Sequence, residues 1–251
     1  LTLMMVVPLL GAIIVAALPG DSARLAKPIA LGASLVTLVL ALMAWARFDT
    51  GATEQFQLAE VHPWIPQFGV SYAVGVDGIA LSLIVMAAIL TPICLLAAWN
   101  DVSEEGYSRE KRYFALMLVL EAFMVGVFAA TDVFLFYVFF EAMLIPVYFL
   151  IGLFGGPRRQ YAAVKFLLFS LAGGLVMLVS VIATYVVGPG GDDGFLITSL
   201  TGNLDASTDA LRWIFVGFFI AFAVKAPMWP VHTWLPDAAT EARPATAVLL
   251  V

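Results

Sequence analysis

Long apolar runs separated by short polar punctuation constrain this chain more than any other feature. A helix needs about 20 mostly apolar residues to cross a bilayer. The spacing predicts helices over residues 1–18, 28–46, 77–99, 112–130, 132–153, 161–187 and 211–226. The stretches "LPGDSARLAKP", "NDVSEEGYSREKR", "GGPRRQ" and "GPGGDDG" separate them. Only "TD" divides the fourth run from the fifth, so those two are expected to form a tight antiparallel hairpin. Residues 47–76, with Pro63, Trp64 and Pro66, are the longest polar connection and are expected on the membrane surface. The final "ARPATAVLLV" opens another apolar helix, which points to the N-terminal part of a longer protein. The expected class is an all-α integral membrane protein of about seven complete spans and a truncated eighth, with a break in the seventh.

Composition narrows the chemistry. The chain is 63% hydrophobic and 12% charged, with a mean hydropathy of +1.01, beyond what a soluble domain uses. The single Cys94 excludes a disulfide framework and a thiolate zinc site. His62 and His232 are too few and too far apart for a ligand cluster. No feature points to nucleic acid. Orientation follows from Lys and Arg in alternate loops. One side carries Arg24, Lys27, Arg109, Lys111, Arg112, Arg158 and Arg159, and the other carries Arg47 and Arg212. The N-terminus is therefore expected outside.

Within "DVFLFYVFFEAMLIPVYFLIG", Glu141 is the one charge after Asp132. At about 1.5 Å per residue it lies about 14 Å into its helix, near the middle of a hydrocarbon core about 30 Å thick. An acid there costs roughly 2.5–3.5 kcal/mol, so a functional site is the default reading. The competing reading is a protonated glutamate that only packs helices together. Pro146 removes the hydrogen bond to the Ala142 carbonyl and is expected to bend the helix beside Glu141. In "FFIAFAVKAPMWPVHTWLPDAATEARP", Lys225 is followed by Pro227 and Pro230, which predicts a helix break at membrane depth. A lysine at such a break suits an ion site, and a lysine snorkelling to the interface is the alternative. Glu121 also reaches the midplane and could couple to Glu141. Lys165 is a candidate proton relay or a snorkelling residue. His232 could relay protons near neutral pH or serve structurally.

"FLFYVFFEAMLIPVYFLIG", "FAVKAPMWPVHTWLPDAATEA" and "VGVDGIALSLIVM" resemble segments of the antiporter-like membrane subunits of respiratory complex I, the NADH:quinone oxidoreductase. The likeness is to the M-type branch of that family and covers most of the chain from about residue 70. It implies a fold of fourteen helices with two inverted five-helix repeats, each holding a broken helix. Residues 1–111 would supply the first three helices, and residues 112–251 most of the first repeat. It also implies that Glu141 and Lys225 form a gating ion pair for protons and that Lys165 matches the lysine of helix 6. The resemblance implies no cofactor in this chain; NADH, FMN, iron–sulfur clusters and quinone would belong to partner subunits. The expected partners are the other membrane subunits of complex I, neighbouring antiporter-like subunits included, and the lipid bilayer. The sequence departs from the family at Ala239, where a histidine is usual, at Arg243, and at Glu121, where a neutral residue is usual. A multisubunit cation/proton antiporter shares the fold and both hallmark segments, and a structural subunit with packing-only charges is the third reading.

Overall fold

The computed structural model describes residues 1–19, 24–101 and 107–251. Parts of the first two basic loops, residues 20–23 and 102–106, lie outside the described residues. Helices α1 (Thr2–Ala17), α2 (Ala26–Arg47), α3 (Gly78–Ala97) and α4 (Tyr107–Ala129) pack as successive neighbours. The fifth run forms α5 (Val133–Ala142) and α6 (Leu144–Phe154), separated at Met143. Then come α7 (Arg159–Val187), the short α8 (Ile197–Leu200), α9 (Thr208–Lys225), α10 (Trp234–Glu241) and α11 (Pro244–Leu250). A helix stands at each position where the hydropathy runs predict one. Among the described residues, five stretches are long and apolar enough to cross a membrane: Ala26–Arg47, Gly78–Ala97, Arg109–Ala129, Val133–Phe154 and Arg159–Val187. Their outer faces keep large apolar side chains exposed, among them Leu168, Leu175, Val179 and Val186 on α7. That is the pattern of a helix whose solvent on one side is lipid.

Caps explain several starts. Asp77 accepts the Ala80 N–H at 2.7 Å, and Asp132 accepts that of Leu135 at 2.9 Å. The "TD" hairpin forms as expected, with α4 ending at Ala129 and α5 starting at Val133. Met143 keeps helical backbone angles and donates to the Phe139 carbonyl at 3.0 Å, so the chain stays helical through the junction of α5 and α6. Pro146 has no N–H to donate to the Ala142 carbonyl, which is the physical reason the helical ladder is interrupted beside Glu141.

The 47–76 connection departs from the all-α expectation, because it contains two strands. Strands β1 (Gln57–Ile65) and β2 (Val70–Val76) pair antiparallel there. Val70, Ser71, Ala73, Val74 and Val76 of β2 are buried, while β1 is mostly exposed. Pro63 is tolerated because β1 is an edge strand. The Ser71 N–H donates to Asp132 at 2.9 Å, and the Thr131 N–H donates to the Ala73 carbonyl at 2.9 Å. The hairpin therefore fastens the start of the helix that carries Glu141.

The opposite end of the bundle is held by basic side chains. Lys111 donates to the Leu18 carbonyl at 2.7 Å, and Arg109 to that of Leu153 at 2.5 Å. Arg243 donates to the carbonyls of Phe154 and Asp101, at 2.8 and 2.6 Å. Cations at helix C-termini satisfy terminal carbonyls and complement the helix dipole. This gives Arg243, which departs from the family pattern, a definite role: it closes the end of α6. Lys27 and Glu110 pair at 3.1 Å at the same end.

Candidate functional site

Helix α7 is the hub of the candidate site. It packs against α5, α6, α9 and α10. Glu141 projects from the last turn of α5 toward α7, where its carboxyl group rests on Gly174. A Cβ at that glycine would overlap Oε1 and Cδ of Glu141 and lie 2.8 Å from Oε2. Oε1 is buried without a hydrogen-bond partner among the described residues.

Lys225 is the last residue of α9, and the chain turns away directly after it. The break anticipated from Pro227 and Pro230 is present, and its backbone groups are largely satisfied. The Met228 N–H donates to the Ala223 carbonyl at 2.8 Å. The Trp234 indole, fully buried, donates to the Val224 carbonyl at 2.8 Å. Such satisfaction is what irregular backbone at membrane depth requires.

The Lys225 ammonium lies 5.0 Å from the centre of the Phe140 ring and 5.6 Å from that of Phe166. Phe140 precedes Glu141, so α5 brings the aromatic ring and the carboxylate to the lysine together. Glu141 is thereby brought into the neighbourhood of Lys225, yet no ion pair within 4.0 Å joins the two. The lysine is held by ring faces through cation–π attraction, which leaves it free of a fixed carboxylate partner. Phe222 and Trp234 stand behind these rings, with centroids 6.1 Å from Phe140 and 5.2 Å from Phe166. A mostly apolar cavity of about 380 Å³ adjoins Lys225, lined in part by Met86, Met124, Phe128 and Phe222.

The other candidates are placed elsewhere. Lys165, near the start of α7, is bonded to Asp237 of α10 at 2.7 Å. Arg158 stands 3.7 Å from Glu241 and 4.0 Å from Asp237, and its backbone N–H also donates to Glu241 at 2.9 Å. Glu121 is completely buried in α4, and neither carboxylate oxygen has a hydrogen-bond partner among the described residues. Its expected coupling to Glu141 has no counterpart in a contact between them. His232 lies in the turn between α9 and α10, with Nδ1 buried and unpartnered among the described residues.

Sequence reasoning passed over Asp237 and Glu241. Their i, i+4 spacing on one helical face was the available signal. It also passed over Gly174, Phe140 and Phe166, whose importance depends on which helices meet.

Two family profiles cover nearly the whole chain. Residues 3–127 match "NADH-ubiquinone oxidoreductase chain 4, amino terminus", and residues 130–251 match "NADH:quinone oxidoreductase/Mrp antiporter, TM". NADH-quinone oxidoreductase subunit M of Mycobacterium tuberculosis is 42% identical, over 100% of this chain and 51% of that protein. In respiratory complex I from Thermus thermophilus, a chain at 29% identity superposes with a TM-score of 0.83, over 99% of this chain and 49% of that one. A chain of the Mrp complex from Dietzia shares the fold, with a TM-score of 0.80 at 22% identity, over 98% of this chain and 26% of that one. The chain spans about half the length of the curated relatives it matches. The chain belongs to the family of antiporter-like membrane subunits called subunit M in NADH-quinone oxidoreductase and chain 4 in NADH-ubiquinone oxidoreductase.

Proposed function

We propose that this chain is part of a proton-translocating membrane subunit of an NADH:quinone oxidoreductase, with Glu141 and Lys225 as the gate of a buried proton path. The observation that carries the reading is the approach of a partly buried carboxylate, whose Oε1 has no hydrogen-bond partner among the described residues, to a lysine placed at a helix break. Neither is locked to the other. A nearby ammonium favours an ionised carboxylate, and its withdrawal favours the neutral acid. Moving a unit charge from about 4 to about 8 Å changes the interaction by about 2 kcal/mol at an effective dielectric constant of about 20. That is more than tenfold in the ratio of protonated to ionised glutamate, at about 1.4 kcal/mol per tenfold. A displacement of one lysine side chain is therefore enough to load or unload a proton.

In this reading Lys165, held by Asp237, is the relay nearer the basic end, and Glu121 and His232 are secondary proton-holding positions. The energy comes from NADH oxidation and quinone reduction in partner subunits, which carry FMN, iron–sulfur clusters and quinone. Residues 1–111 supply three accessory helices and residues 112–251 most of the first repeat of a fourteen-helix fold, with seven spans here and an eighth begun. The N-terminus faces outward across a bacterial plasma membrane. An impermeant thiol reagent on intact cells should label Gln55→Cys and spare Gln160→Cys; the reverse pattern overturns the orientation.

Glu141→Gln in the whole complex tests the gate. It keeps shape and polarity and removes titration. Proton pumping at matched assembly should fall by about tenfold or more, the equivalent of at least one pKa unit of lost control. Wild-type pumping would leave Glu141 a packing residue. The match of residues 130–251 to a profile named also for the Mrp antiporter favours cation/proton antiport as the second reading. Transport driven by a Na⁺ gradient in membranes without NADH oxidation would select it.

A further inference from the structure

The proposed gate depends on where two side chains come to rest, and adjacent residues of α7 limit both. Gly173 and Gly174 point about 100° apart around the helix. Gly174 faces α5, and the space its Cβ would take is filled by the Glu141 carboxyl group. Gly173 faces α9, and a Cβ there would lie 3.2 Å from Val224 Cβ and 3.4 Å from both its γ carbons. Val224 immediately precedes Lys225 and accepts the Trp234 indole that closes the break. The same seam continues at Gly217 of α9, where a Cβ would overlap Ser180 of α7. Small residues that let membrane helices approach are common, and Gly173 and Gly217 fit that role. Gly174 does not, because a carboxylate and not a helix backbone occupies its space.

Resting on the proton-gate reading above, we propose that Gly173 and Gly174 are positioning residues that set the distance between Glu141 and Lys225. Gly174 is the seat that lets the carboxylate lie back against α7 without meeting the ammonium. Gly173 fixes how closely α9 brings Lys225 to the same helix. A methyl group at Gly174 would push the carboxylate off its seat, and the group displaced is the end of a flexible side chain. The fold then survives while the separation changes. A methyl group at Gly173 asks Val224 to yield by only a few tenths of an ångström.

The test compares Gly174→Ala, Glu141→Asp, the double variant and Gly173→Ala in the intact membrane complex, with Gly32→Ala as control. Among the described residues, no atom outside its own helix lies within 4 Å of a Cβ at Gly32. The readouts are protons pumped per NADH oxidised and the pH profile of pumping, at matched assembly. Gly174→Ala should lower pumping by about tenfold and displace the pH profile by about one unit. Aspartate is one carbon shorter, so adding Glu141→Asp should return the Gly174→Ala protein to the level of Glu141→Asp alone. Gly173→Ala should change pumping less than Gly174→Ala, and Gly32→Ala should leave it at the wild-type level. Wild-type pumping and pH profile for Gly174→Ala would overturn the proposal, and so would a double variant whose losses simply multiply. If Gly174→Ala fails to assemble, assembly regained in the double variant supports the seat, and assembly still lost overturns it. Glu141→Gln keeps the two levels apart: normal pumping there removes the gate itself, whereas a dead Glu141→Gln beside a normal Gly174→Ala removes only the spacer.

Discussion

Two charged clusters meet α7, and they are built in opposite ways. Near its start, Lys165 is bonded to Asp237 at 2.7 Å, and Arg158 bridges toward Asp237 and Glu241. Nine residues further along, Glu141 rests on Gly174 with Oε1 unpartnered among the described residues, and Lys225 rests on aromatic rings. The first cluster has its charges satisfied and fixes α10 onto α7. The second leaves its charges within reach of each other but unjoined. Charges at membrane depth that are not consumed by pairing are expensive to keep and are the ones able to change state. In the proposed path, the difference separates a relay whose charge is held by a fixed partner from a gate whose charges are left unjoined.

Lys225→Ala presses hardest on that contrast. Removing the cation from an unpaired centre should lower redox-driven proton pumping by about tenfold or more, with the complex assembled. Normal pumping would make the two clusters equivalent as packing devices. Trp234→Phe acts one step away. It leaves the Val224 carbonyl without its buried donor, at a cost of about 1–3 kcal/mol. Thermal melting of the complex in detergent should register the loss, together with a smaller drop in pumping because the end of α9 loosens. A melt unchanged from wild type would show that the indole does not hold the break.

Asp237→Asn tests the satisfied cluster. An acceptor survives beside Lys165 but the charge does not, so stability should fall more than pumping per assembled complex does. A pumping loss as deep as that of Lys225→Ala would join the clusters into a single path. Arg243→Ala should have the smallest effect on transport. It frees the carbonyls of Phe154 and Asp101, lowers stability by about 1–3 kcal/mol, and leaves protons per NADH unchanged. Reduced storiometry of pumping in an assembled Arg243→Ala complex would give the basic end a transport role.

Much of this arrangement is legible from residues alone, for identifiable reasons. Spanning helices announce themselves because lipid demands unbroken apolar length. The break after Lys225 is visible because Pro227 and Pro230 cannot continue a helix. The β1–β2 hairpin is hidden because Pro63 and Pro66 read as loop residues, and the burial of β2 comes from contacts made by α4 and α5. Glu141 is conspicuous as a lone acid, but its seat is not. A twin glycine in an apolar helix signals close approach without saying what approaches. The pairing of Lys165 with Asp237 depends on how α10 folds back onto α7 after the break, and the burial of Glu121 depends on which helices pack around α4; no local pattern encodes either.

Whether Glu141 changes protonation during turnover can be seen directly by redox-difference infrared spectroscopy of the membrane complex. The carboxyl band of a protonated glutamate is compared in wild type, Glu141→Gln and Lys225→Ala. A gate at Glu141 requires a band that appears and disappears with turnover in the wild type, is missing in Glu141→Gln, and no longer responds to turnover in Lys225→Ala. A wild-type spectrum with the same turnover-linked band after Glu141→Gln would contradict it and place the moving proton elsewhere.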